Sequence, residues 1–169
     1  MIAYVLIICG FLFRLIPHVP NVVPVAAIAI FAGAYLDKRI APWLPLAIMV
    51  LSDLIIGMHR TVFFTWGAFL LIGFMATWLK DHRSLQNVFA ASILSAILFF
   101  VISNFGAWLV MGEYPPNLAG FVTCYVRAIP FFRNTLISNV AGTFVLFGLY
   151  EIAKRALERS RLYSVLFVG

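Results

Sequence analysis

A single carboxylate interrupts one of the long apolar runs of this sequence. Asp53 lies within "VLSDLIIGMHRT", and a carboxylate in so apolar a segment is costly unless it is paired or protonated. We expect Asp53 either to face a ligand or gate, or to form a structural pair with an arginine such as Arg14 or Arg133. Asp53 is therefore the first candidate for a functional residue.

Metal-binding and catalytic patterns are weak in this chain. His18 and His59 are not in an HExxH or i, i+4 arrangement, and Cys9 and Cys124 form no paired-cysteine motif. The sequence contains neither GxSxG nor GxxxxGK[ST], so we expect no nucleophile elbow and no nucleotide loop. We predict no cofactor and no enzymatic activity. The alternative is an outer-face, metal-dependent or acid–base enzyme using Asp53, His18 and His59, with Cys124 as a further possible metal ligand.

The composition places these residues in a membrane. Of 169 residues, 64% are hydrophobic and only 11% are charged, with a net charge of +6. Such a balance is typical of an integral membrane domain, and basic loops then face anionic lipid. We therefore expect the lipid bilayer as a partner, no nucleic acid, and a single domain over residues 1–169. The first apolar run lacks a basic n-region and a cleavage site, so we interpret it as a retained helix.

Apolar runs between helix breakers predict an all-α bundle of six transmembrane helices. A longer outer loop is expected over residues 112–132. The predicted helices cover approximately residues 1–16, 22–36, 41–58, 62–80, 86–111 and 133–154.

The distribution of basic residues predicts the orientation of this bundle. With six spans, eight Lys and Arg residues lie on the side of the termini and four on the other, so both termini are expected in the cytoplasm. The first group is Lys38, Arg39, Lys80, Arg83, Lys154, Arg155, Arg159 and Arg161, and the second is Arg14, Arg60, Arg127 and Arg133.

Polar and aromatic side chains collect in the outer half of the predicted bundle. This one-sided distribution predicts a ligand pocket that opens to the outside, with apolar walls and a few orienting polar groups. The arginines favour a ligand with an anionic or mixed polar edge, although each could instead extend to lipid headgroups, and the rings favour a flat ligand. The candidate residues are Arg14, His18, Asn21, Asp53, His59, Arg60, Trp66, Asn104, Trp108, Tyr114, Tyr125, Arg127, Arg133, Asn134 and Asn139. For Asn134, capping of the last helix is the favoured alternative.

Small residues form one face of the second predicted helix. Ala29 and Gly33 have the small-xxx-small spacing that lets helix backbones approach closely, and Ala26 lies on the same face. Two interpretations remain open at this point. The face either packs inside the bundle or docks a second membrane protein.

Several segments of the chain carry a family resemblance. Together they are similar to a family of small bacterial membrane proteins of unknown function, which itself resembles the substrate-binding S-components of energy-coupling factor transporters. The segments are "RLIPHVPNVVPVAAIAIFAGAYL", "LSDLIIGMH", "SNFGAWL", "YPPNLAGFVTCY" and "AIPFFRNTLISNVAGTFVLFG".

The resemblance implies uptake of a vitamin-like nutrient across the bacterial inner membrane. It further implies a transmembrane coupling protein with ATPases, docked through an AxxxA motif on an early helix; here Ala29 and Gly33 give AxxxG. The competing interpretation is a structural or assembly subunit of a membrane complex.

Overall fold

The chain folds into helices, as seen in a computed structural model that describes residues 2–16 and 25–159. Within these ranges the regular structure is helical and contains no strand. The helices are α1 (Ile2–Leu15), α2 (Val25–Tyr35), α3 (Trp43–Ile56), α4 (Val62–Ala76), α5 (Leu85–Val110) and α6 (Leu118–Arg159), and a 3₁₀ turn over Thr77–Lys80 continues α4. Where the structure describes them, the bounds of α1 to α5 lie within a few residues of the predicted ranges.

In the part of the chain that the structure describes, three helical segments are long and apolar enough to cross a membrane: Val62–Lys80, Leu85–Val110 and Leu118–Glu158. Helices α1, α2 and α3 are apolar but shorter. Large apolar side chains such as Phe63, Leu85 and Leu118 are more than 70% exposed. In water this much exposed apolar surface would be unfavourable, so lipid is the solvent that fits the outer surface of the bundle.

Helix α2 is the central element of the bundle. Its residues from Val25 to Ala34 are all buried, and the helix contacts each of the other five. A methyl group added at Gly33 would lie 2.3 Å from the carbonyl oxygen of Ala76, so only glycine permits this approach of α2 to α4. The small face therefore packs inside the bundle. The docking role considered for Ala26, Ala29 and Gly33 is contradicted, because none of the three reaches the surface.

Helix α6 begins fifteen residues earlier than expected, so most of the predicted 112–132 loop is helical and that boundary was wrong. Asn117 starts the helix: its Oδ1 accepts a hydrogen bond from the Gly120 amide at 2.9 Å, as an N-cap does. Pro130 lies inside the helix. A proline in a long helix removes one backbone donor, which packing in an apolar bundle tolerates. At 1.5 Å per residue, the 42 residues of α6 extend over about 60 Å.

Candidate ligand cavity

An ion pair joins α1 to α3. Arg14 Nη2 lies 2.7 Å from Asp53 Oδ1, and Arg14 Nε donates to Ser52 Oγ at 2.6 Å. The Arg14 side chain is 12% exposed and that of Asp53 only 3%. Of the two arginines considered for Asp53, the structure therefore pairs it with Arg14.

The second carboxylate oxygen of Asp53 ties α4 to the same site. Trp66 Nε1 donates to Asp53 Oδ2 at 2.8 Å, and His59 Nε2 lies 3.9 Å from the same oxygen. His59 Nδ1 in turn lies 3.0 Å from Thr61 Oγ1. Both oxygens of Asp53 are thus occupied, and the buried carboxylate and guanidinium neutralise each other.

A cavity of about 320 Å³ lies beside this ion pair. Every helix contributes to its wall. The apolar part of the lining is formed by Ala26, Met49, Phe69, Phe99, Phe100, Phe131 and Phe132, and the polar part by Arg14, His59, Thr61, Thr65, Ser103, Asn104, Thr135 and Asn139. This volume lies near the lower end of the range of about 300–1,000 Å³ for small-molecule sites, and an apolar wall with a few polar groups is their usual composition.

Two asparagines place carboxamide groups in the cavity wall. Asn139 is 2% exposed, and its Nδ2 donates to Ser95 Oγ at 3.1 Å. Asn104 Nδ2 donates to the carbonyl of Phe100 at 2.7 Å. Helices α5 and α6 therefore hold one carboxamide each at the cavity wall.

Four of the predicted site residues line this cavity: Arg14, His59, Asn104 and Asn139. Asp53 and Trp66 do not line it but hold Arg14 and the α4 end of the site in place. His18 and Asn21 lie outside the described residues.

The other predicted site residues do not line the cavity. Arg127 and Arg133 are exposed on α6, and Asn134 lies in an apolar groove between α1 and α6. Arg127 lies elsewhere because α6 is helical from Leu118, which distributes residues 118–132 around a helix instead of collecting them in one loop. Arg133 and Asn134 already belonged to the predicted last helix, and they lie on sides of α6 that do not line the cavity.

Most of the remaining predicted site residues make hydrogen bonds outside the cavity. Arg60 donates to the Met111 carbonyl at 3.5 Å, Trp108 Nε1 to Pro115 O, and the Tyr125 hydroxyl to Val101 O. Tyr114 lies in the short loop before α6. The expected anionic edge of the ligand therefore loses its basis, since only one arginine reaches the cavity and it is neutralised by Asp53.

Several cavity residues were not anticipated, although the sequence contains a signal for them. Phe131, Thr135 and Asn139 are spaced i, i+4, i+8, which places them on one face of a helix, and Phe100 and Asn104 share a face in the same way. The expected loop over 112–132 hid the first of these patterns. In the second pattern only Asn104 could be identified from the sequence, because Phe100 does not differ from the other apolar residues around it.

The described residues contain no group of three or more His, Cys, Asp and Glu that could hold a metal. Cys124 is buried and its Sγ lies 3.5 Å from the Asn104 carbonyl, on a different part of the bundle from His59 and Asp53. His59 and Asp53 alone give two ligands, fewer than a structural or catalytic metal site normally uses. The minor metal hypothesis thus gains no support from this part of the chain.

Together, the apolar outer surface, the three described helices that could cross a membrane and the partly polar cavity fit a helical membrane protein with a cavity of small-molecule size. The chain belongs to a family of unknown function, DUF6580, whose model matches residues 1–161. Neither the curated proteins nor the solved structures contain a match to the chain.

Proposed function

We propose that this protein is a membrane substrate-binding protein that captures a small, vitamin-like nutrient for uptake, in the manner of an S-component. The observation that carries the proposal is the cavity, which all the helices enclose and which combines phenylalanine walls with two carboxamides. A site of this composition binds and orients a small molecule. The proposal includes six membrane spans with both termini in the cytoplasm of a bacterial cell.

The two ends of the bundle support this orientation. The cavity is lined by Arg14 at the C-terminal end of α1, by the α3–α4 loop and by the N-terminal half of α4. The opposite ends meet in a separate cluster, where Lys80 donates to the Tyr35 carbonyl at 3.1 Å and the Arg83 guanidinium lies 4.5 Å from the Tyr35 ring centroid. Basic residues favour the cytoplasmic side of a membrane. The cavity then opens toward the extracytoplasmic side.

The balance of charge supports a ligand without net charge. Arg14 and Asp53 cancel each other at 2.7 Å, and a charged ligand in an apolar cavity needs a compensating charge. Five phenylalanine rings line the remaining wall, and aromatic faces pack well on a flat ligand. The nutrient is thus a small, flat and largely neutral compound.

Active uptake would require an energy source, and the proposed partner is a transmembrane coupling protein with ATPases. Helix α2 cannot provide its docking surface, since the small face of α2 is buried. A coupling protein would contact the outer faces of other helices.

A blocked cavity tests the proposal. Ser103 lines the cavity from α5, so Ser103→Trp should fill it, whereas Ile97→Trp places the same ring on an outward-facing part of α5 that is 42% exposed. Native mass spectrometry and thermal-shift screening against vitamins and their precursors should find a ligand bound by the wild type and by Ile97→Trp but not by Ser103→Trp. A ligand that Ser103→Trp retains, or a screen without any bound compound, would count against the proposal.

A further inference from the structure

Three hydroxyl groups of the cavity wall donate to carbonyls of their own helices. Thr65 Oγ1 donates to the Val62 carbonyl at 2.9 Å, Ser103 Oγ to Phe99 O at 2.6 Å, and Thr135 Oγ1 to Phe131 O at 3.1 Å. A hydroxyl has one hydrogen and two acceptor lone pairs. These three groups therefore offer a ligand lone pairs and no hydrogen.

The orientation of the two carboxamides follows from their partners. Asn104 lies against a backbone carbonyl, which only accepts, so its nitrogen must face Phe100 O and its oxygen lies on the other side. The Ser95 hydroxyl donates to the Ser92 carbonyl at 2.8 Å and can only accept from Asn139. The nitrogen of Asn139 must therefore face Ser95, which fixes its oxygen as well.

The oxygen of Asn139 adds a further acceptor to the cavity wall. Asn139 is 2% exposed and lines the cavity, and its nitrogen is engaged by Ser95. A carboxamide oxygen accepts hydrogen bonds through two lone pairs. A ligand that donates a hydrogen to this oxygen therefore gains a hydrogen bond within an apolar-walled site.

Acceptors outnumber donors on the part of the wall that α5 and α6 form. The oxygens there belong to Ser103, Asn104, Thr135 and Asn139, and the remaining donors are the second hydrogens of the two carboxamide nitrogens. On the opposite part of the wall, Arg14 keeps N–H groups beyond those that reach Ser52 and Asp53. The cavity is thus polarised, with an excess of acceptors on α5 and α6 and an excess of donors at the end of α1.

We infer that this cavity selects a small aromatic compound that carries hydrogen-bond donors on one edge, such as an N–H heterocycle or an aminoheterocycle. The inference rests on the proposed ligand-binding function and deepens it. The phenylalanine rings hold the flat face, because aromatic pairs stack offset or edge to face. The oxygens of Asn104 and Asn139 select the edge that bears N–H groups.

Three bicyclic probes of matched shape test this selection. Indole carries an N–H, benzofuran has an oxygen acceptor at the same ring position, and indene has a methylene there. Affinities are measured by calorimetric titration of the full chain in lipid nanodiscs, with subtraction of the same titration into empty nanodiscs. We expect indole to bind at least about fivefold more tightly than either analogue, the factor from one net hydrogen bond.

Variants of the acceptor wall separate this effect from general packing. Asn104→Leu, which retains the volume approximately, should reduce the preference for indole while leaving indene binding unchanged. Ser103→Ala removes one acceptor without a change of backbone and should reduce the preference to a smaller extent. Ile97→Ala, on the outward face of α5, should leave all three affinities unchanged, and thermal unfolding establishes that each variant is folded.

Equal affinities for the three probes, abolished by Ser103→Trp, would overturn the donor inference while the ligand-binding proposal stands. Tighter binding of benzofuran, or an unchanged preference in Asn104→Leu, would overturn it as well. If no probe binds, the inference also fails. The proposed function is then decided separately by the vitamin screen of wild type, Ser103→Trp and Ile97→Trp.

Discussion

Removal of the Asp53 carboxylate should destabilise the protein far more than removal of a surface charge. In Asp53→Asn the Arg14 guanidinium stays in a site where its side chain is 12% exposed, without the carboxylate that lies 2.7 Å away in the wild type. Two hydrogen bonds to the carboxylate, at 2.7 and 2.8 Å, are weakened together. Breaking one partner of a buried pair costs about 3–5 kcal/mol. We expect a loss of this size in the free energy of unfolding.

The double variant Arg14→Met with Asp53→Asn should be more stable than the sum of its single variants predicts. It leaves no buried charge without a partner, and replacement of both charges is often nearly neutral. A coupling energy of about 2 kcal/mol or more is therefore expected from the double-mutant cycle. The matched control is the pair Lys38–Asp81, whose side chains are 51% and 58% exposed. Water and salt screen exposed pairs, which contribute little, so this cycle should show a clearly smaller coupling.

Equilibrium unfolding in mixed micelles, followed by tryptophan fluorescence, measures both cycles. Trp66 reports directly on the site, since its Nε1 donates to Asp53 Oδ2. If Asp53→Asn loses no more stability than Asp81→Asn, or if the Arg14 and Asp53 changes are additive, the buried pair does not hold α1 to α3 and the reasoning is refuted.

Three further outcomes follow from individual contacts. Gly33→Ala should lower the midpoint of thermal unfolding because its new methyl would lie 2.3 Å from the Ala76 carbonyl oxygen. The control Gly148→Ala has open space around it and should leave the midpoint unchanged or raise it. Equal shifts of the two midpoints would contradict this. Asn117→Ala should cost about 1 kcal/mol of unfolding free energy through the lost N-cap, and no loss would mean that the cap is not needed. The hydrogen bond from Lys38 lowers the pKa of Asp81. The small stabilisation from this pair is therefore present above the ordinary pKa of Asp and lost as the pH falls through the lowered value. The thermal midpoints of wild type and Asp81→Asn should then converge at low pH, and a constant difference between them would refute this.

The sequence was most informative where a residue type is costly in its surroundings. A carboxylate in an apolar run must find a partner, and the expectation that Asp53 pairs with Arg14 or Arg133 contained the observed pair. The short helices α1 to α3 could likewise be predicted from the sequence, because prolines and polar residues interrupt the apolar runs around them. The local cost of a charge or of a helix breaker is a property of the sequence alone.

The start of α6 and the apolar cavity wall depend on information that the local sequence does not contain. Pro130 is a breaker in isolation, yet packing against α5 and the Asn117 cap let the helix continue through it. Helices such as α5 are apolar on most sides, so amino-acid composition does not distinguish the side that faces a cavity. Phe100 and Phe131 line the cavity, while Phe105, which has the same residue type, does not.

The Asp53 carboxylate determines which hydrogen-bond donors the cavity presents, in addition to its expected effect on the stability of the protein. A helix offers a carbonyl to every serine or threonine hydroxyl of the next turn but has no free N–H in its interior, so a cavity between helices tends to present acceptors. Donors must come from side chains such as Arg14 and Trp66, and Asp53 engages both. Asp53→Asn releases part of the Arg14 guanidinium toward the cavity. In nanodisc titrations of this variant, the affinity for benzofuran should therefore rise relative to that for indole, whereas an unchanged ratio in a folded Asp53→Asn protein would show that Arg14 does not determine which ligand edge the cavity accepts.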